Sequence, residues 1–310
     1  MKVGILTFHA ADNYGAVLQA RSLVEVLRSL GHDAHVIDYA PEFLTKPFRL
    51  WRNDWWKHPV GTAKNLANSF AEARRRKGFQ AFREGMHLIP FPPEDLDAVV
   101  FGSDQVWNPI LNGEQPLWYA QHPAFEHTRN ISYAASTGSV PLPAWVDFSR
   151  YYRLSVREPL LQAELASRGF ESTLVLDPVL LAGKEVLDTM ASPCPVKGRY
   201  VVAYEVIDNT QVMQIASRYG LPVVRIASNS RFSGRKKYVP GEFISLIRGA
   251  EHVVASSFHG VAVAKIYGVD FVYPPSGSPK DHRVLHLLEP GTDLDALRAQ
   301  SLTFLQESLS

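Results

Sequence analysis

The chain has 310 residues, 46% hydrophobic and 20% charged, with a formal net charge of +1. That composition belongs to a globular chain with a substantial core, and the near balance of charge excludes a global basic field that would draw nucleic acid. A single cysteine, Cys194, excludes an internal disulfide or a cysteine metal cluster and fits a reducing compartment. The length suggests two domains of roughly 150 residues each.

The chain opens as strand, turn, helix, strand. Val3–Phe8 is an apolar strand rather than a signal peptide, because the run is short and Thr7-Phe8-His9 follows. No stretch approaches the ~18 apolar residues of a membrane span, and the expected location is the cytoplasm. Ala16, Val17, Ala20, Leu23, Val24, Leu27 and Leu30 mark one face of a helix, with Gly31 placed to end it. Ala34–Tyr39 is the next strand, and 42–94 reads as irregular. Strands follow near 97–102, 130–135, 153–157 and 173–177.

Asp177-Pro178 and the loop 190–198, with Pro193 and Pro195, read as a domain boundary. A second series then runs as strand 200–206, helix 210–219, strand 222–227, helix 241–249, strand 252–256, helix 260–267 and strand 269–273. A helix over 293–309 closes the chain. Two series of alternating strands and helices predict an α/β protein with two Rossmann-like domains facing across a cleft. The expected divisions are 1–190, 196–290 and a C-terminal helix in 291–310.

Strand tips in such sheets are where ligands bind. At one of them stands Phe258-His259-Gly260, where an apolar strand stops and a small-residue helix begins. The unpaired N–H groups of that helix favour anions. An imidazole, with an ordinary pKa near roughly 6.5, exchanges protons around neutrality. His259 is therefore the candidate acid, against the plainer reading that it packs under the helix.

Arg157 sits at a strand end, where its fork suits a carboxylate or phosphate, or it simply pairs with Glu158. Asp104 follows Gly102-Ser103 and either orients a substrate hydroxyl or caps a turn. Asn13-Tyr14-Gly15 precede the first helix, Asn13 as a cap and Gly15 allowing close approach of a ligand. The dinucleotide fingerprint GxGxxG is absent, and no clustered His, Asp and Cys ligand set suggests a metal. Arg225, His282, Arg283 and the run Arg235-Lys236-Lys237 are weaker anion ligands, and the run reads as a solvated loop. The stretch 44–83 holds ten Lys or Arg against two acidic residues, interleaved with Trp51, Trp55 and Trp56. It reads either as helices packing aromatics on the first domain or as a contact with an anionic membrane.

Four motifs in order, NYGAVLQA (13–20), GSDQVWNP (102–109), SVRE (155–158) with LDPVLL (176–181), and SSFHG (256–260), together with GEFISLIRGA (241–250), resemble the polysaccharide pyruvyl transferase family. The resemblance runs over about residues 1–290. It implies a fold like that of the GT-B glycosyltransferases, no cofactor, phosphoenolpyruvate as donor and a glycan, lipid-linked or nucleotide-linked sugar as acceptor. The implied product is a pyruvate ketal bridging two hydroxyls of one sugar.

On this basis His259 and Asp104 are the expected catalytic pair. Arg157, matching the family's donor-binding arginine, is expected at the donor with Ser257, Arg225, His282 and Arg283. Asn13, Tyr14, Gly15, Ser103, Gln105, Trp107 and Asn108 are expected at the acceptor, with Trp107 either a platform for a sugar face or part of the core. Ser257 stands where the known branch of the family carries an arginine, so one anion ligand is missing. Two rivals stay open: a glycosyltransferase using a nucleotide sugar on the same fold, and a non-catalytic glycan- or nucleotide-binding relative.

Overall fold

The computed structural model describes residues 1–41, 59–205, 210–227, 237–275, 277, 281, 284 and 292–310. Its first half is built on a parallel sheet in the order β3-β2-β1-β4-β5. The strands are β1 (Lys2–Leu6), β2 (Asp33–Asp38), β3 (Ile89–Pro90), β4 (Ala98–Phe101) and β5 (Arg129–Ser132). Bridges Ile131↔Arg153 and Ala135↔Val156 continue it to a parallel pair, β6 (Ser155–Val156) and β7 (Thr173–Leu174). The second half holds a parallel sheet in the order β11-β10-β8-β9, from β8 (Val201–Glu205), β9 (Val223–Ala227), β10 (His252–Ala255) and β11 (Asp270–Val272). Strand order reverses at β1 and at β8, which puts a topological switch point at the C-terminal end of each sheet. β4 and β8 are buried along their whole length, as expected of strands covered on both faces.

Helix α1 (Tyr14–Ser29) follows β1 as its periodicity predicts, and Gly31 takes φ +88° just past its end. A 26-residue helix, α2 (Pro59–Glu84), occupies much of the stretch expected to be irregular. It escapes a search for apolar periodicity because much of its inner face is charged. Arg75 and Glu72 are buried there beside Phe79. α2 also ties the halves together. Toward its end Arg83 donates to the carbonyls of His9 and Ala10 and pairs with Asp12 at 2.6 Å. Further back Glu72 takes Lys237 Nζ at 2.6 Å and Arg74 pairs with Glu242. Lys237, expected in a solvated loop, is thus held in an ion pair between the halves; Arg235 and Lys236 lie outside the described residues, as does 42–58.

Among the described residues the other α-helices are α3 (Pro109–Asn112), α4 (Pro159–Ser167), α5 (Pro178–Met190), α6 (Thr210–Ser217), α7 (Pro240–Arg248), α8 (Phe258–Tyr267) and α9 (Leu294–Ser308). Asp177-Pro178 does not form a linker. Asp177 caps α5 through a bond from Val179 N–H at 2.9 Å, with Pro178 at the first helical position. α5 packs on α1, α8 and α9, so it is the shared wall of the two halves.

One apolar cluster runs through that wall, from Val17 and Leu23 of α1 to Val202, Phe243 and Val261 of the second half. The C-terminal helix returns to the first half, where Arg153 pairs with Glu307 at 2.8 Å and Leu176 N–H donates to Ser301 Oγ at 2.9 Å. Among the described residues no helix is long and apolar enough to cross a membrane.

Candidate functional site

The loops leaving the C-terminal ends of β4, β5, β6 and β7 converge on one point, and the first turn of α8 meets them from the second half. At the centre is Asp177, whose side chain has no solvent exposure. Its Oδ1 accepts the α5 cap bond; its Oδ2 accepts from Arg157 Nη1 at 2.7 Å and from Ser103 Oγ at 3.4 Å. His259 Nε2 stands 3.7 Å from the same oxygen, within ion-pair reach but too long for a hydrogen bond. Burial opposes ionisation of Asp177, but His259, Arg157 and the Val179 N–H outweigh it and hold the carboxyl at about 2.

Arg157 is buried among three carboxylates. Besides Asp177 it reaches Asp104 Oδ1 at 3.5 Å through Nη2 and Glu158 Oε1 at 3.6 Å through Nε. Burial works against its charge, yet these carboxylates, Asp177 foremost, raise its pKa above the ordinary arginine value. The ring of Phe258 lies 5.3 Å from the guanidinium carbon, a cation–π contact from the second half. Glu158 in turn accepts from Ser136 Oγ at 2.5 Å.

His259 is held by the first half of the chain. A Cβ on Gly15 would lie 2.2 Å from its Nδ1 and 2.7 Å from its Cε1, so the imidazole rests on the bare backbone where α1 begins. The close approach expected at Gly15 exists, and its object is this ring. Nε2 is buried with no hydrogen-bond partner, as is Arg157 Nε. Ser257, at the N-cap of α8, makes no side-chain cap bond, and leaves the first N–H groups of that helix without one. The N-terminus of α1, by contrast, is closed by Asn13 Oδ1, which accepts from Gly15 and Ala16 N–H.

Asp104 takes φ +72°. A non-glycine residue held in the left-handed region costs about 1 kcal/mol or more and needs its surroundings to enforce it. The carboxylate is 18% exposed, the most open of the three around Arg157.

Other expected residues have structural duties. Tyr14 is fully buried, stacks on Phe243 with ring centroids 4.7 Å apart and donates its hydroxyl to Tyr238 O at 2.7 Å. It welds the halves and presents no surface to an acceptor. Replacing it with phenylalanine leaves that buried carbonyl without its donor and should cost about 1–2 kcal/mol of stability; an unchanged denaturation midpoint would contradict this assignment.

Trp107 is likewise core, its Nε1 donating to Trp118 O at 3.1 Å, so it is no sugar platform. Asn108 caps α3 and its Nδ2 donates to half-buried Gln105 Oε1 at 3.0 Å. Ser103 is wholly buried and touches carboxylates instead of solvent. Arg225 pairs with Glu205 at 2.6 Å. His282 and Arg283 lie outside the described residues. Asp177, Glu158 and Ser136 join the site without having been singled out; the Asp-Pro pair was the available signal for Asp177. Among the described residues no cluster of His, Cys, Asp and Glu is arranged to hold a metal.

No curated protein matches the chain. Among solved structures it is similar to a protein described as a UDP-N-acetylglucosamine 2-epimerase from Listeria monocytogenes, at 12% identity over 99% of this chain and 89% of that one, with a TM-score of 0.51. It is more distantly similar to a UDP-GlcNAc 2-epimerase from Methanocaldococcus jannaschii (12% identity, 99% and 93% covered, TM-score 0.47). The Escherichia coli heptosyltransferase WaaC gives 13% identity, 100% of both chains and a TM-score of 0.38. The first of these likenesses, at 12% identity, bears on the fold alone, a two-halved α/β arrangement like that of the GT-B enzymes. The model of the polysaccharide pyruvyl transferase family matches residues 13–273, a span that takes in all the motifs from NYGAVLQA to SSFHG. By that match, over most of its length, the chain belongs to the polysaccharide pyruvyl transferase family.

Proposed function

We propose that the protein transfers the enolpyruvyl group of phosphoenolpyruvate to a sugar of a cell-surface polysaccharide or its lipid-linked precursor in the cytoplasm, closing a pyruvate ketal. The observation that carries this reading is the meeting, at facing sheet ends, of an imidazole with a buried carboxylate, beside a helix start that lacks a side-chain cap. An enol phosphate is already activated, so the reaction needs acid, base and electrostatics but neither redox chemistry nor a cofactor.

In this reading His259, as imidazolium, gives a proton to the donor's methylene carbon, whose electron pair forms the new C–H bond and leaves a cation at the neighbouring carbon. One sugar hydroxyl attacks there and its proton passes to Asp104. Phosphate departs with the C–O bonding pair and carries off the proton held by Asp104. A second hydroxyl adds at the same carbon to close the ring, its proton passing to the neutral imidazole of His259 and restoring the acid. Asp177 Oδ2, 3.7 Å from Nε2, places a carboxylate beside the ring.

The expected role of Arg157 as an open donor fork changes. Its two terminal nitrogens face Asp177 and Asp104 and its Nε faces Glu158, so it orients carboxylates and offers no open fork to the donor. The free N–H groups at the start of α8, with His259, take the donor's negative charge. They stand in for the arginine that Ser257 replaces.

Incubation with phosphoenolpyruvate and a panel of lipid-linked and nucleotide-linked sugars should yield an acceptor carrying a pyruvate ketal, identified by mass and by its methyl proton resonance. Release of nucleoside diphosphate from a nucleotide sugar, with no ketal on any acceptor, would assign the site to glycosyl transfer instead. Gly15→Ala tests the seat of the imidazole. Its Cβ takes the space of the ring, and turnover should fall about tenfold to a hundredfold, as expected when a catalytic group moves by about 1 Å. Turnover equal to wild type in a folded Gly15→Ala protein would show that the ring position is not critical.

A further inference from the structure

We infer that Thr7 and Gln19 are positioning residues that set the two catalytic-site carboxylates Asp104 and Asp177 through the Ser103 peptide; this rests on the reaction proposed above. The backbone ladder between β1 and β4 makes its last bond from Gly102 N–H to Leu6 O, at 3.0 Å. Beyond it the chain turns away through Gly102 at φ +116° and Asp104 at φ +72°, and the ladder offers the buried Ser103 carbonyl no partner. The Thr7 hydroxyl supplies one, donating to Ser103 O at 2.9 Å. Gln19, fully buried on α1, fixes that hydroxyl's direction: its Nε2 donates to Thr7 Oγ1 at 2.9 Å and to Ala16 O at 2.9 Å. With a lone pair of Thr7 Oγ1 so occupied, its proton is left for Ser103.

Ser103 then acts on both carboxylates. Its Oγ accepts from Asp104 N–H at 2.6 Å, which stabilises the left-handed turn, and lies 3.4 Å from Asp177 Oδ2 as donor. A chain of hydrogen bonds through Gln19, Thr7 and Ser103 thus runs from the first helix to the two carboxylates. Its cost argues against a purely packing role. Gln19 Oε1 is buried without a partner, a penalty that an apolar side chain of similar length would avoid. What the amide contributes is the orientation of Thr7, and through it a turn that would otherwise relax.

Thr7→Val keeps the side-chain shape and removes the hydroxyl, whereas Thr7→Ser keeps the hydroxyl and removes the methyl group. Two readouts on the full-length protein separate this inference from the proposed reaction. The first is amide hydrogen exchange over residues 102–106, which needs no substrate: Thr7→Val should exchange about tenfold faster than wild type, and Thr7→Ser within about threefold of it. The second is acceptor-dependent phosphate release from phosphoenolpyruvate. There Thr7→Val should lower kcat about tenfold or more with KM little changed, and Thr7→Ser should restore most of it. If wild type releases no phosphate, the donor assignment fails and exchange alone decides the positioning role. Unchanged exchange in Thr7→Val, or a Thr7→Ser protein no better than Thr7→Val, would overturn it, since packing alone predicts that loss of the methyl group does the greater harm.

Discussion

His259→Ala is expected to lower turnover of phosphoenolpyruvate by about two to four orders of magnitude, the usual contribution of a positioned general acid. It should leave the fold in place. The imidazole makes no hydrogen bond through Nε2 and rests on Gly15 at the rim of the core, so its removal takes away little packing. Asp177 retains Arg157, Ser103 and the Val179 N–H as partners. Activity and stability therefore separate: kcat collapses while the thermal midpoint moves by a few degrees. His259→Gln should be as inactive as the alanine variant, because an amide supplies shape and a hydrogen bond without a titratable proton. Turnover by either variant within about threefold of wild type would assign the acid elsewhere.

Asp177→Asn is expected to damage both activity and stability. The carboxylate is the closest partner of a buried guanidinium, and its loss leaves that charge with only the longer contacts to Asp104 and Glu158, at a cost on the order of 3 kcal/mol or less. The amide can still cap α5, so the loss reflects charge and not the helix. The pH dependence gives the sign. A carboxyl held at about 2, below the ordinary value of 3.8, stabilises the folded state at pH values above that ordinary value. This contribution, about 2 kcal/mol for such a shift, is lost as pH falls from about 4 through about 2. The stability gap between wild type and Asp177→Asn, measured by denaturant titration, should therefore be widest near neutrality and narrow below pH 4. A gap independent of pH would mean that the carboxyl is not ionised in the fold.

The strand and helix order was legible because parallel sheets leave apolar runs such as Ala98–Phe101 and Val201–Tyr204. The place of His259 and Asp104 at strand tips was legible for a related reason, since each follows such a run within four residues and strand tips are where α/β sheets place ligand sites. The failures share a cause: they concern side chains whose partners are remote in sequence. Asp177-Pro178 reads locally as a helix start, which accounts for Oδ1, while the role of Oδ2 depends on Arg157 and on Ser103, 74 residues earlier.

Trp107 is expected at the acceptor because an aromatic ring suits a sugar face, and Tyr14 because it stands in the motif that precedes the first helix. Nothing local distinguishes that use from sealing the core. A helix over 44–83 is one of two readings of the sequence because arginines that bond to carbonyls of the loop before α1 replace part of the apolar stripe by which helices are recognised. The same contacts account for the basic excess of residues 74–83 in part without a membrane: Arg75 and Arg83 are turned inward, where they hold the loop before α1.

Acceptor-dependent release of inorganic phosphate from phosphoenolpyruvate, compared between wild type and His259→Ala, tests the central claim most directly. Release by wild type that needs both donor and acceptor and disappears in the variant is the predicted result. Release that persists in the variant, or wild-type release of nucleoside diphosphate with no phosphate from phosphoenolpyruvate, would contradict it.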